Sequence, residues 1–332
     1  MKPAVYVTRA LPSRALSLLT EKFDVEVWPE YAPPPKEVLK EKAEDAEALI
    51  TMLTDKLDRD IFDVASKLKI VAQVAVGFDN INLQEATKRG IYVTNTPDVL
   101  TEATADFAWT LLMAVARRVV EADRYVRSGQ WTVAWHPNMM TGRDVNGATI
   151  GIVGAGRIGQ AMVQRARGFN MKILYYNPSP RPELDATGAI RVELDDLLRQ
   201  SDFVSLHVPL TKQTTHLIND EKLRLMKASA YLINTSRGPV IDEKALYEAL
   251  KAGKIAGAGL DVFEQEPTPK NNQLLKLDNV VVASHISSAS IETRAKMAEL
   301  AAQNLLAFFT GKKPPSLVNL EVLKINPLMK LI

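Results

Sequence analysis

Gly154, Gly156 and Gly159 form a G-x-G-x-x-G run. It follows an apolar stretch at 149–153 and opens a helical pattern over 160–169. In a strand–turn–helix setting this spacing suits a dinucleotide. The first glycine permits the tight turn, the second lets the backbone approach a pyrophosphate, and the third lets helix and strand pack closely. The helix start adds free N–H groups and the positive end of its dipole. A glycine turn without a ligand is the competing reading, and the flanking strand and helix weigh against it.

The next apolar stretch, 171–176, should end where the adenosine ribose lies. An NAD-selective site places Asp or Glu there. Here the chain runs Asn177, Pro178, Ser179, Pro180, Arg181. No carboxylate is present to repel a 2′-phosphate. Asn177 and Ser179 offer hydrogen-bond donors and Arg181 a cation. The expectation is NADP(H) as the preferred cofactor, with NAD(H) as the second possibility.

A nicotinamide cofactor needs a carbonyl substrate, a group to polarise it and a group to move one proton. Histidine suits the proton. The chain has four: His136, His207, His216 and His285. His207 and His285 each close an apolar run, where ligands bind in open parallel sheets; His136 and His216 read as loop residues. The residues alone leave His285 and His207 as alternatives. Arg237, after the apolar stretch 230–234, could bind a carboxylate in bidentate fashion. Asp261, Glu264 and Glu266 follow another apolar stretch, 255–260, and a carboxylate bonded to a histidine orients the ring and favours its charged form.

Elements must position these groups. Short β-branched runs alternate with helical patterns, with strands expected at 4–8, 25–28, 48–53, 70–76, 91–94, 149–153, 172–176, 203–208, 230–234, 255–260 and 280–283. That alternation gives βαβ units and parallel sheets covered on both faces. The expectation is an α/β protein with two doubly wound domains. Residues 101–129 read as one long helix or two joined ones, and 287–309 as a helix able to return to the first block.

The chain has 332 residues, 46% hydrophobic and 24% charged, enough for two cores. Lys+Arg 41 against Asp+Glu 39 leaves a net charge of +2, so binding to nucleic acid or to a membrane surface through bulk charge is not expected. The absence of cysteine excludes disulfides, thiolate catalysis, iron–sulfur clusters and Cys-ligated zinc; no metal site is expected. No stretch reads as a secretory signal or a membrane span, so a cytoplasmic protein is expected.

Nearly the whole chain resembles the D-isomer-specific 2-hydroxyacid dehydrogenases, especially the archaeal-type glyoxylate/hydroxypyruvate reductases. The residues that carry this are Val74–Asn80 (VAVGFDN), Asn95-Thr96-Pro97, Thr101–Asp106 (TEATAD), Gly154–Gly159, His207-Val208-Pro209-Leu210, Asn234–Gly238 (NTSRG), Leu260–Pro267 and His285-Ile286. The resemblance implies a Rossmann cofactor domain, 99–284, inserted in a flavodoxin-like substrate domain, 1–98 and 285–332. It implies that Arg237 binds the substrate carboxylate and polarises the keto oxygen. His285 would be the general acid, and Glu266 would keep it protonated. Asp261 would stand near the nicotinamide with Ile286 and Ser287. Ala155, Arg157 and Ile158, between the glycines, would hold the pyrophosphate, and Thr104, Pro209, Thr235 and Ser236 would line the ribose and nicotinamide. Leu53 and the N–H groups of Val76 and Gly77 would meet a small 2-keto acid. Trp135 would reach the active site of a second subunit in a homodimer. The family's Pro-His-Ile-Gly reads Ser284-His285-Ile286-Ser287 here, with the histidine kept. Implied activity is NADP(H)-preferring reduction of glyoxylate and hydroxypyruvate. The alternatives are a D-lactate or 3-phosphoglycerate type of dehydrogenase, or a non-enzymatic dinucleotide sensor.

Overall fold

The computed structural model describes residues 1–328; residues 329–332, the end of the expected 285–332 segment, lie outside them. The chain divides into two compact units. The first comprises Met1–Leu100 and the chain from Ala289 onward, and the second is Thr101–Ser288.

In the first unit, β1 (Ala4–Val7), β2 (Asp24–Val27), β3 (Ala48–Thr51), β4 (Ile70–Gln73) and β5 (Tyr92–Thr94) form a sheet in the order β2-β1-β3-β4-β5. Every neighbouring pair is parallel, and this is the flavodoxin-like order. All residues of β3 and β4 are buried, as expected for strands covered on both faces. Helix Ile291–Phe309 packs on helix Ser13–Lys22 and on β4. Its start is set by Ser290, whose side chain accepts the Thr293 N–H.

The second unit is a seven-stranded sheet. Its strands are β6 (Thr149–Val153), β7 (Lys172–Tyr176), β8 (Ile190–Arg191), β9 (Phe203–Leu206), β10 (Tyr231–Asn234), β11 (Gly257–Leu260) and β12 (Val280–Val282). The order is β12-β11-β10-β9-β6-β7-β8, parallel throughout. This is the Rossmann arrangement with one added edge strand, and its switch point lies between β6 and β9.

The 101–129 region is two helices, Thr101–Ala116 and Val119–Arg127. They part at Arg118, which adopts a left-handed conformation (φ 54°). Helix Thr101–Ala116 lies on β10, β11 and helix Arg157–Gly168, and its buried Ala105, Ala108, Leu111 and Leu112 join Ile150, Ile152, Phe203 and Ile233 in one apolar core. Burial of each large aliphatic side chain is worth about 1.5–3 kcal/mol. Several expected strands are shorter than their apolar runs. β3 ends at Thr51 and β4 at Gln73, so Leu53 and Val76 fall in the loops beyond. β8, with two residues, is too short to show a period.

Candidate active site

The glycine turn lies at the switch point. Gly154 has φ +97°, and a Cβ there would stand 2.7 Å from the His207 backbone. A Cβ on Gly159 would stand 2.2 Å from the Gly154 carbonyl oxygen. Both positions therefore require glycine. Nothing lies within 4 Å of a Cβ on Gly156, which leaves room for a ligand. Helix Arg157–Gly168 starts there without a side-chain cap, so its first turn is open to an anion.

In the loop after β7 the Asn177 amide bonds to neighbouring protein groups. Its Oδ1 accepts the Ala155 N–H at 3.1 Å, and its Nδ2 donates to Ser179 O at 2.8 Å and Ser179 Oγ at 3.2 Å. A carbonyl partner can only accept, so the amide is committed to shaping the loop. Arg191, which sequence reasoning missed, donates to the carbonyls of Asn177 at 3.2 Å and Pro178 at 3.1 Å. Its signal was a basic residue on a strand beside the loop, and that strand was not foreseen. Arg181 donates its N–H to the Tyr175 hydroxyl at 3.2 Å. Its side-chain Nε is buried without a hydrogen-bond partner.

Arg237, Asp261, Glu266 and His285 come from the ends of β10, β11 and β12. Asn234, last in β10, receives the N–H and the hydroxyl of Ser236 at 3.0 and 2.8 Å. It donates to the Arg237 carbonyl at 2.9 Å. Gly238 then lets this loop touch the segment carrying Glu266, because a Cβ there would lie 1.8 Å from the Phe263 carbonyl carbon. Glu266 Oε1 accepts the Phe263 N–H at 3.0 Å, and Oε2 lies 2.7 Å from His285 Nδ1. Burial opposes charge on Glu266, but the bond to His285, the His285 charge, the Phe263 N–H and Arg237 together hold its carboxyl below the usual range.

Asp261 is fully buried. Its carboxylate accepts the N–H groups of Ile286 and Ser287, each at 2.8 Å, and its carbonyl accepts the His285 N–H at 2.8 Å. These three bonds hold His285 at φ 57° and fold residues 285–288 with the second unit. Burial raises the Asp261 carboxyl, against the pull of those N–H groups and of His285.

The other histidines differ. His207 follows β9, and its Nε2 lies 2.8 Å from Ser205 Oγ. Burial pushes its imidazole down to about 3, so it is neutral near pH 7 and offers no acidic proton. His216 pairs with Glu264 at 2.9 Å, and His136 lies in an exposed loop.

Thr104 is buried in helix Thr101–Ala116, and Pro209 is exposed in the loop after β9. Thr235 is buried, with an unpartnered hydroxyl. Leu53, Val76 and Gly77 belong to the first unit, and Trp135 is 77% exposed.

Residues 109–287 match the model of the D-isomer specific 2-hydroxyacid dehydrogenase NAD binding domain. The chain belongs to this family. It is an NAD(P)-dependent oxidoreductase. It is similar to a glyoxylate reductase of Korarchaeum cryptofilum, with 61% identity covering 98% of this chain and 99% of the relative. It is also similar to one of Thermococcus kodakarensis, with 58% identity covering 98% and 99%. Among solved structures, a protein of Thermus thermophilus superposes with TM-score 0.90, 46% identity and coverage of 95% and 99%. An NADPH-dependent glyoxylate/hydroxypyruvate reductase of Sinorhizobium meliloti, in complex with NADP and malonate, superposes with TM-score 0.86, 33% identity and full coverage of both chains.

Proposed function

We propose that this dehydrogenase reduces glyoxylate to glycolate and hydroxypyruvate to D-glycerate, with NADPH preferred over NADH. The observation that carries the reading is the 2.7 Å pair between Glu266 and His285, with Arg237 close enough to lower the Glu266 carboxyl. The names of the archaeal relatives support the substrate.

A nicotinamide cofactor fits the residues present. The glycine turn is open at Gly156, and the Thr235 hydroxyl and Arg181 Nε are buried without partners. Such orphaned groups are costly unless something pairs with them. Gly154, Ala155, Gly156, Arg157, Ile158 and Gly159 would hold the pyrophosphate, with Thr104, Pro209, Thr235 and Ser236 along the ribose and nicotinamide. Arg181, with Ser179 beside it and Arg191 behind the loop, would receive the 2′-phosphate. Bound there, the reduced cofactor supplies the hydride to the keto carbon.

The protein's own groups do the rest. Arg237 and the N–H groups of Val76 and Gly77 bind the carboxylate, and Leu53 and Trp135 limit the substrate to a small one. Arg237 also polarises the keto oxygen. The carboxylate of Glu266 fixes the proton on His285 Nδ1, so Nε2 carries the proton delivered to the keto oxygen. Asp261 keeps the histidine in place. In this reading the first unit serves the substrate and the second, Thr101–Ser288, the dinucleotide.

A homodimer in the cytoplasm completes the proposal. Val119, Val120, Val126, Trp131, Val133 and Trp135 are exposed apolar residues within one short stretch, and such a concentration favours a protein partner. No helix of the described residues is long and apolar enough to cross a membrane.

The test is loss of reduced-nicotinamide absorbance with glyoxylate or hydroxypyruvate and either cofactor. Higher kcat/KM with NADPH supports the proposal. Higher kcat/KM with NADH overturns the cofactor preference, and no turnover of either keto acid overturns the substrate.

A further inference from the structure

The first unit holds a partly buried polar relay that joins the two loops carrying the proposed substrate contacts. Gln73 ends β4 and is fully buried. Its Oε1 accepts the Thr51 hydroxyl at 2.8 Å. Its Nε2 donates to Asn80 Oδ1 at 2.7 Å and to the Gly77 carbonyl at 3.3 Å. Asn80 Nδ2 then donates to the carbonyls of Asp55 at 2.7 Å and Met52 at 3.2 Å. Main-chain carbonyls accept only, so each amide has one orientation that satisfies the relay.

One loop, residues 52–55, carries Leu53. Asp55 closes it, accepting the Met52 N–H at 2.7 Å, and is itself held by the Thr8 hydroxyl and by Arg9 at 3.3 Å. The other loop carries Val76 and Gly77. Main-chain bonds join the loops at their flanks, Val74 N–H to Thr51 O at 2.8 Å and Leu57 N–H to Asn80 O at 2.9 Å. The Asn80 amide spans the interval. The ladder between β3 and β4 already sets the sheet register, so the sheet does not need this amide. Both loops leave the carboxyl ends of their strands, where open parallel sheets bind ligands.

We propose that Asn80 is a positioning residue for the keto acid: its amide sets the spacing between Leu53 and the Val76–Gly77 main chain. The inference rests on the substrate reading given above. Asn80→Asp keeps the side-chain size and removes both donor hydrogens. Steady-state kinetics with glyoxylate and NADPH should show KM for glyoxylate raised about tenfold or more, with kcat and KM for NADPH within about twofold. If Asn80→Asp does not fold, Gln73→Glu cuts the relay from its other side and should give the same split. An unchanged KM for glyoxylate, a loss confined to kcat, a rise in KM for NADPH, or unfolding of both variants overturns the positioning role. Wild type is measured alongside. Wild-type turnover of glyoxylate with an unaffected variant sinks this inference alone; an inactive wild type sinks the substrate reading and the inference with it.

Discussion

Gly238→Ala should disable catalysis through a single methyl group. A Cβ at this position would lie 1.8 Å from the Phe263 carbonyl carbon, 1.9 Å from its oxygen and 2.4 Å from Glu264 N. All three are backbone atoms, so no side chain can swing aside. Carbon atoms in contact sit about 3.5 Å apart, so the loop after β10 and the 263–264 segment must separate by roughly 1.7 Å. The Phe263 N–H holds Glu266, and Glu266 holds His285, so the shift reaches the imidazole through two hydrogen bonds. Misplacement by about 1 Å costs about 10²-fold in rate, and overpacking costs about 1–3 kcal/mol in stability. The assay is kcat with saturating glyoxylate, with NADPH affinity measured by fluorescence on the same preparation. Expected are a kcat about 10²-fold down and an NADPH Kd within about threefold of wild type, because the glycine turn follows a different strand. A folded Gly238→Ala enzyme with near-normal kcat would refute the reasoning.

Three further outcomes follow from the site. Arg181→Gln should raise KM for NADPH by about 10–100-fold, the worth of a charge-assisted hydrogen bond, and leave KM for NADH nearly unchanged; an equal effect on both cofactors would contradict the 2′-phosphate role. Because the Glu266 carboxyl is held low in the folded protein, its charge adds stability above an unfolded value of about 4.3 and loses it as pH falls. The Tm gap between wild type and Glu266→Gln should therefore be widest near neutrality and close below about pH 4, whereas a gap that widens in acid would reverse the assigned sign. Trp131→Ser with Trp135→Ser should weaken self-association in sedimentation at low micromolar concentration; a wild-type protein that sediments as a monomer would dispose of the dimer.

The two parallel sheets were legible because strands such as 149–153 and 203–206 are mostly apolar runs bounded by helical patterns. The glycine turn was legible because steric demands at Gly154 and Gly159 leave one residue type. The choice between His207 and His285 was not, since both close an apolar run. The 2.7 Å pair with Glu266 and the burial that lowers His207 support the proposal of His285, and each depends on chain brought in from elsewhere. The partners of the Asn177 amide, the Ala155 N–H and Ser179, were not legible because they come together only once β6 and β7 pair. Arg191 escaped notice because a two-residue strand leaves no periodic trace. Asn80 and Gln73 read as ordinary polar residues until the loops after β3 and β4 lie side by side.

The most direct test of His285 as the proton donor compares His285→Ala with His207→Ala, using NADPH and glyoxylate. His285→Ala should lose about 10²–10⁴-fold in kcat while binding NADPH as wild type does, and His207→Ala should keep far more of its turnover. Near-normal turnover by His285→Ala beside an inactive, folded His207→Ala would contradict the assignment.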